Sequence, residues 1–256
     1  MKSNSITLDA LTQYLNSELN INRFRDYCPN GLQVEGRAEV RKIVTGVTAS
    51  QALIDAAIAE NADAILVHHG YFWKGEQEAI VGMKKRRIQA LLKHDISLLG
   101  YHLPLDSHPE LGNNVQLAKV LGLTITGPID PNDPSVPGNI GKLPEPISAH
   151  AFAQHISVKL GRAPQHIGDP DDVIETLAWC TGGAQGYMSY AINQGIDAYL
   201  TGEINEPSFH NAQETGVHYY AAGHHATERY GAKALGEHLA EKFGLDVVFI
   251  DIDNPV

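Results

Sequence analysis

From residue 40 onward, short apolar runs that read as strands alternate with stretches of good helix formers, and this alternation limits the fold more than any other feature. "KIVTGVTAS" is a strand running into turn chemistry, and "QALIDAAIAENA" is a helix. "DAILVHHG" is a strand, "MKKRRIQALLKHD" a helix, "ISLLGYH" a strand, and "GNNVQLAKVLG" a helix opened by Asn and closed by Gly. Parallel neighbours need a long crossover, and a helix supplies it. The pattern therefore predicts an α/β fold with largely parallel sheets. Ahead of it, "MKSNSITLDALTQYLNSEL" predicts an amphipathic helix with Ile6, Leu8, Leu11 and Leu15 on or near one face.

The alternation breaks once. "TGPIDPNDPSVPGNIGKLPEPIS" holds six of the thirteen prolines and shows neither period. It predicts a linker over 127–147 between an N-terminal lobe, 1–126, and a C-terminal lobe, 148–256. In the second lobe the alternation resumes through "VIETLAWCTGG", "IDAYLTGE", "VHYYAAGHH" and a last strand, "DVVFIDI". "AIAENADAILVHHG" from residue 57 aligns without gaps on "AINQGIDAYLTGEI" from residue 191, with Ala, Ile, Asp, Ala and Leu coinciding. Two related lobes is the economical reading.

Four of these strands end in groups able to bind a cation: "ILVHHG", "LLGYHLPLD", "YLTGE" and "YAAGHHATE". Ligands of open α/β sheets bind beyond the carboxyl ends of the strands. Adjacent side chains on a strand point to opposite faces, so His68 and His69 are either a polar cap or the start of a turn that lets both converge. His102-x-x-x-Asp106 and His224-x-x-x-Glu228 share a spacing. Each segment alone is accounted for by loop or helix-start chemistry, and only convergence argues for a site. Were Asp106 and Glu228 to meet at about 4 Å, they would repel by about 4 kcal/mol at an effective dielectric of 20. A divalent ion with imidazole partners removes that cost. His68, His69, Asp106, His224 and Glu228 exceed one tetrahedral site and fall short of two, unless a carboxylate bridges and water fills the rest. That arithmetic favours two ions with open coordination, as hydrolysis uses. Without thiolates, zinc, iron, manganese and nickel fit alike.

The formal net charge of −11 lacks the footprint of a nucleic-acid binder, which also argues against a DNA clamp. Cys28 and Cys180 have no metal-type spacing and no disulfide framework. The N-terminus has no basic region followed by an apolar run, and no apolar stretch reaches the roughly 18 residues of a span. A soluble, cytoplasmic protein is expected.

"DYCPNGLQVEG", "VTGVTAS", "HHGYFWKGE", "YHLPLDSHPELGNN", "TGE" and "AAGHHATERYG" resemble the Nif-three-like family, whose bacterial members carry the name GTP cyclohydrolase 1 type 2 homologue. The likeness covers nearly the whole chain and is weakest across the Pro-rich stretch. It implies two α/β lobes with a dinuclear metal site in the cleft between them, and a ring-shaped homohexamer, a trimer of dimers. The family's metal ligands fall on His68, His69, Asp106, His224 and Glu228.

Two functions follow. The first is a hydrolase dependent on two divalent ions, cyclohydrolase-like on a nucleotide or heterocycle, with His102 or Glu203 moving protons. The second is a non-catalytic protein that binds or delivers metal through the same ligands. Specific contacts to a base, ribose and triphosphate are not identifiable. "CTGGAQG" reads as a tight turn that could alternatively offer amides to phosphate, and "KKRR" as a solvated helix face. Phe72 and Trp73 read as core or cleft wall, and His210 as a surface or packing residue.

Overall fold

A computed structural model describes residues 4–133 and 135–256. Residues 1–3 of the expected N-terminal lobe and Pro134 of the expected linker lie outside them. In chain order the elements are β1 (Ile6–Thr7), α1 (Leu8–Glu18), β2 (Gly31–Val34), β3 (Glu39–Val40), β4 (Lys42–Thr48), α2 (Gln51–Ala59), β5 (Ala64–His69), α3 (Gly82–Lys93), β6 (Ser97–Gly100) and α4 (Leu103–Asp106). There follow α5 (Asn113–Leu121), β7 (Thr124–Pro128), β8 (Asn139–Ser148), α6 (Ala149–Leu160), β9 (Gln165–Ile167) and β10 (Val173–Trp179). The chain closes with α7 (Met188–Gln194), β11 (Ala198–Thr201), α8 (Glu206–Thr215), β12 (His218–Ala221), α9 (His224–Phe243) and β13 (Asp246–Phe249).

Packing groups these into two compact units, Met1–His108 with Gly231–Asp253, and Pro109–Tyr230 with Asn254–Val256. The division differs from the expected 1–126 and 148–256 at both ends, because β7 pairs with β8 and α5 packs in the core of the second unit, and β13 pairs in parallel with β4 of the first. Its sequence reads as a strand, but nothing local to it names its neighbour. Helix α9 is shared, with residues through Tyr230 in the second unit and those from Gly231 in the first.

The first unit holds a five-stranded sheet in the order β13-β4-β5-β6-β2, parallel except at β2. Ser50 caps α2 by accepting from Leu53 N. One sheet face packs Val44, Ile65, Val67 and Leu98 against Leu53, Ile54 and Ala57 of α2 and Ile88 and Leu91 of α3. The expected N-terminal helix buries Leu8, Leu11 and Leu15, while Ile6 precedes it in β1.

The second unit holds a six-stranded sheet in the order β7-β8-β10-β11-β12-β9. Only β10-β11 and β11-β12 are parallel there, so the expectation of a largely parallel sheet is corrected to a mixed one. The cause is the Pro-rich stretch expected as a linker, which forms most of β8. Lys142 pairs with Thr176 and Ile147 with Ile174, so five steps on β8 face two on β10. Pro144 and Pro146 fall inside that bulge, where proline's missing N–H costs no ladder bond. Side chains on the strands alternate between two cores. Ala198, Leu200 and Tyr220 face Phe152 and Ile156 of α6, whereas Tyr199 and Tyr219 face Met188 and Ala191 of α7.

The gapless internal alignment has a structural counterpart. Ala64 of β5 stands opposite Ile43 and Ser97, and Ala198 of β11 stands opposite Leu177 and His218, all in parallel register. The aligned aspartates do the same work one residue earlier. Asp63 accepts from Arg41 N and Lys42 N at 2.7 and 3.0 Å, and Asp197 from Glu175 N and Thr176 N at 3.0 and 2.8 Å. Asp63 thereby pins the start of β4, and Asp197 holds β10 just ahead of its pairing with β11.

Burial would raise the Asp197 carboxyl, but hydrogen bonds from the Thr176 and Glu175 amides and the Thr176 hydroxyl hold it below its usual value. Its stabilisation is therefore complete above the unfolded carboxyl's pKa and is lost as pH falls through the lowered folded value. Asp197→Ala is expected to cost about 2 kcal/mol near neutral pH. Measuring Tm against pH for both proteins checks this, since the gap should close in acid.

Candidate functional site

In the first unit β5 delivers His68 and His69 at its carboxyl end, and β6 leads into His102 and the four-residue α4 that ends on Asp106. Both histidines belong to β5, His69 pairing with Thr48, and their rings lie 4.5 Å apart between centroids. A Cβ on Gly70 or on Gly100 would meet the Gln33 carboxamide, whose oxygen accepts from Tyr71 N.

His68 is fully buried. Its Nδ1 lies 2.9 Å from the carbonyl of Tyr101, and a carbonyl only accepts, so Nδ1 carries the proton. Nε2 lies 3.4 Å from Asp106 Oδ1. His69 Nδ1 bonds Thr48 Oγ1 at 3.1 Å. The His102 ring sits 5.1 Å from His68 and 5.8 Å from His69, and the three imidazoles bring ring nitrogens within 4.8 Å of one another. Three imidazoles and one buried carboxylate form a set suited to a borderline divalent cation.

Asp26, Cys28 and His102 are likewise close enough to be counted as a ligand set. The Asp26 oxygens, however, already accept from His102 Nδ1, Asn30 Nδ2, Leu103 N and Tyr27 N. Burial pulls the Asp26 carboxyl up, but the His102 hydrogen bond and charge, with the Asn30 and Tyr27 donors, bring it below its ordinary value. Burial, with the Asp26 charge beside it, pushes the Cys28 thiol up to about 12. Trp73 is fixed by Nε1–H to Gly70 O, its ring 4.9 Å from His102.

In the second unit β11 leads to Glu203 and β12 to His224, the first residue of α9. His224 Nδ1 lies 2.7 Å from Glu203 Oε1, and its Nε2 lies 3.1 Å from Glu228 Oε2 one turn along the helix. Three loops stitch this set together: Gly202 N donates to Gly182 O, and Gly223 N donates to Gly202 O. Gly182 N donates to Thr227 Oγ1. Gly182 has φ +69°, and a Cβ there would strike the buried Glu228 carboxylate.

The turn reading of "CTGGAQG" accounts for its amides, several of which are already spent. Thr181 N donates to Asn114 Oδ1, Gly182 N to Thr227 and Ala184 N to Thr201 Oγ1. His210 pairs with Glu206 at 2.7 Å on the exposed side of α8. Within "KKRR", Lys84 donates to Gln77 O and lies 5.0 Å from the centre of the Phe72 ring.

The structure thus gathers His68, His69, His102 and Asp106 in one unit, and Glu203, His224 and Glu228 in the other. The shared His-x-x-x-acid spacing is not equivalent in space, because His102 precedes its helix whereas His224 begins one. Sequence reasoning gave no role to Asp26 and Asn30, although they stand in the "DYCPNGLQVEG" segment. Asp26 and Asn30 flanking Tyr27, Cys28 and Pro29 were the available signal of a side-chain-stabilised turn.

Burial alone would lower the His224 pKa, but hydrogen bonds and charge from Glu228 and then Glu203 raise it to about 9. A raised imidazole stabilises the fold fully below the unfolded value of about 6.5 and loses that contribution as pH climbs through the folded value. In metal-free protein His224 is expected to stay protonated past neutrality. Zinc binding should then release a proton that buffers of different ionisation enthalpy reveal in calorimetry.

The profile of the Duf34/NIF3 (NGG1p interacting factor 3) family matches residues 6–255. A Pseudomonas aeruginosa protein named GTP cyclohydrolase 1 type 2 homolog is 55% identical over 251 residues, 98% of this chain and 99% of that relative. An Escherichia coli K12 protein of the same name is 54% identical over 246 residues, 96% of this chain and 98% of that relative. The solved structure of the protein ybgI, described as of unknown function, superposes with TM-score 0.94 at 52% identity, covering 98% of this chain and 100% of its own. The solved structure of TTHA1606 from Thermus thermophilus superposes with TM-score 0.87 at 37% identity, covering 98% and 100%.

Proposed function

The chain belongs to the Duf34/NIF3 family, and on that premise we propose that it is a hydrolase dependent on two divalent metal ions, acting on a nucleotide or related heterocycle. The grouping of side chains at the ends of β5 and β6 carries this reading. His68 gives Nδ1–H to Tyr101 O, its Nε2 lies 3.4 Å from the buried Asp106 carboxylate, and the His69 and His102 rings stand beside it. Imidazoles next to a buried carboxylate are a donor set that a divalent cation takes.

In the proposal His68, His69, Asp106, His224 and Glu228 hold zinc, iron, manganese or nickel. The donor chemistry supports this, since one unit offers mostly imidazole and the other an imidazole between two carboxylates. Bound there, the ions would supply Lewis acidity to water and to a substrate oxygen. His102 and Glu203 are the groups assigned to move protons. The GTP part of the relatives' name has weaker support, because the amides of the "CTGGAQG" turn are engaged within the protein.

A homohexamer, a trimer of dimers, in the cytoplasm belongs to the same proposal. Exposed Ile80, Val81, Met83 and Leu92 on and beside α3 give an apolar surface that assembly would cover. Among the described residues no helix is long and apolar enough to cross a membrane.

Elemental analysis of the chain purified without added metal or chelator is expected to give about two ions per chain. His68→Ala and Glu228→Ala should each lose metal while keeping the native circular dichroism. One ion or none, unchanged in both variants, would overturn the dinuclear reading. Two ions with no turnover of nucleotides, phosphoesters or cyclic amides would favour the metal-handling alternative.

A further inference from the structure

We infer that Asp26 is a positioning residue that makes Nε2 of His102 the basic nitrogen, so that His102 accepts protons at the centre through that atom alone. The catalytic meaning rests on the hydrolase reading, whereas the tautomer rests on hydrogen bonds within the first unit.

Two bonds remove the ambiguity about which atoms donate. Asn30 Oδ1 accepts from the backbone N–H of His102 at 2.7 Å, which fixes the orientation of its amide and leaves Nδ2 as the donor to Asp26 Oδ2 at 2.8 Å. Leu103 N donates to the same Asp26 oxygen at 2.9 Å, and Tyr27 N donates to Oδ1 at 2.6 Å. The Asp26 carboxylate is therefore surrounded by obligate donors, with no acceptor to receive a proton from it. Its remaining neighbour is His102 Nδ1, 2.7 Å from Oδ1, which must then be N–H. In the neutral ring the lone pair lies on Nε2.

The Asp26 side chain is only 4% exposed, so water does not compete for these bonds. The His102 ring is held on its other sides by Trp73, 4.9 Å away and edge-on, and by Tyr27 at 6.4 Å. The arrangement has the logic of a base oriented by a buried carboxylate. In the step, one O–H bond of the attacking water breaks and an N–H bond forms at Nε2. The Nδ1 proton stays in place, and the imidazolium is stabilised by Asp26 until Nε2 returns its proton to the leaving group.

Asp26→Asn makes a directional prediction. The new amide needs an acceptor for its NH2. On the Oδ2 side it would face Leu103 N–H and the locked Asn30 amide, both donors. On the Oδ1 side it would face Tyr27 N–H, also a donor, and His102, which is the one neighbour able to become an acceptor, by moving its proton to Nε2. The substitution should flip the tautomer and convert the base into a donor.

Two-bond nitrogen–proton correlation spectra of the 15N-histidine-labelled full-length chain read this without substrate. They are recorded zinc-loaded and after chelation, and followed upward in pH until the ring is neutral, with His102→Gln assigning the resonances. The expected result is Nδ1–H in the wild type and Nε2–H in Asp26→Asn, with an unchanged metal count. An Nε2–H wild-type ring overturns the inference, as does an unflipped tautomer in a folded Asp26→Asn variant. If that variant does not fold, the wild-type spectrum still decides. Failure of the hydrolase reading shows separately, as absent metal or absent turnover with the tautomer as stated.

Discussion

Both sheets depend on one repeated bond, a carboxylate at the start of a central strand that accepts backbone N–H groups from the strand beside it. Asp63 does this for β5 against β4, and Asp197 for β11 against β10. Parallel strands can slip in register, and a slip of one residue exchanges the two faces. By fixing that register the aspartates determine which side chains stand at the far ends of the strands. His68, His69 and Glu203 are where they are because the opposite ends of β5 and β11 are pinned.

Beyond the strand ends, the two units meet the same problem with different chemistry. The first gathers imidazoles and orients them by hydrogen bonds to a carbonyl, a hydroxyl and a carboxylate. The second sets one imidazole between two carboxylates, with Gly182 where a Cβ would strike Glu228. In the second set the two carboxylates raise the His224 imidazole to about 9, so a cation bound there competes with a proton.

The strand–helix alternation, the internal repeat and the clusters at the strand ends were all legible from residue order, because each depends on local period or on direct neighbours. Adjacent histidines on a strand start out on opposite faces, and the tertiary structure shows the His68 and His69 rings 4.5 Å apart within β5. The Pro-rich stretch misled. Prolines at 144 and 146 erase a strand's sequence pattern, yet a bulge lets them sit in β8 without breaking the ladder. Asp26 and Asn30 stayed hidden because their partner, His102, lies more than seventy residues away.

By itself the sequence determined the fold class, the chemical kind of the candidate site and its family likeness, because periodicity and residue type are properties of the chain alone. Only the tertiary structure decided that β13 joins the first sheet, that the second sheet is mixed, and which nitrogen of His68 carries a proton. Those are matters of partner choice. A strand edge or a ring nitrogen acquires its state from whichever group the fold sets opposite it, and that group is distant in sequence.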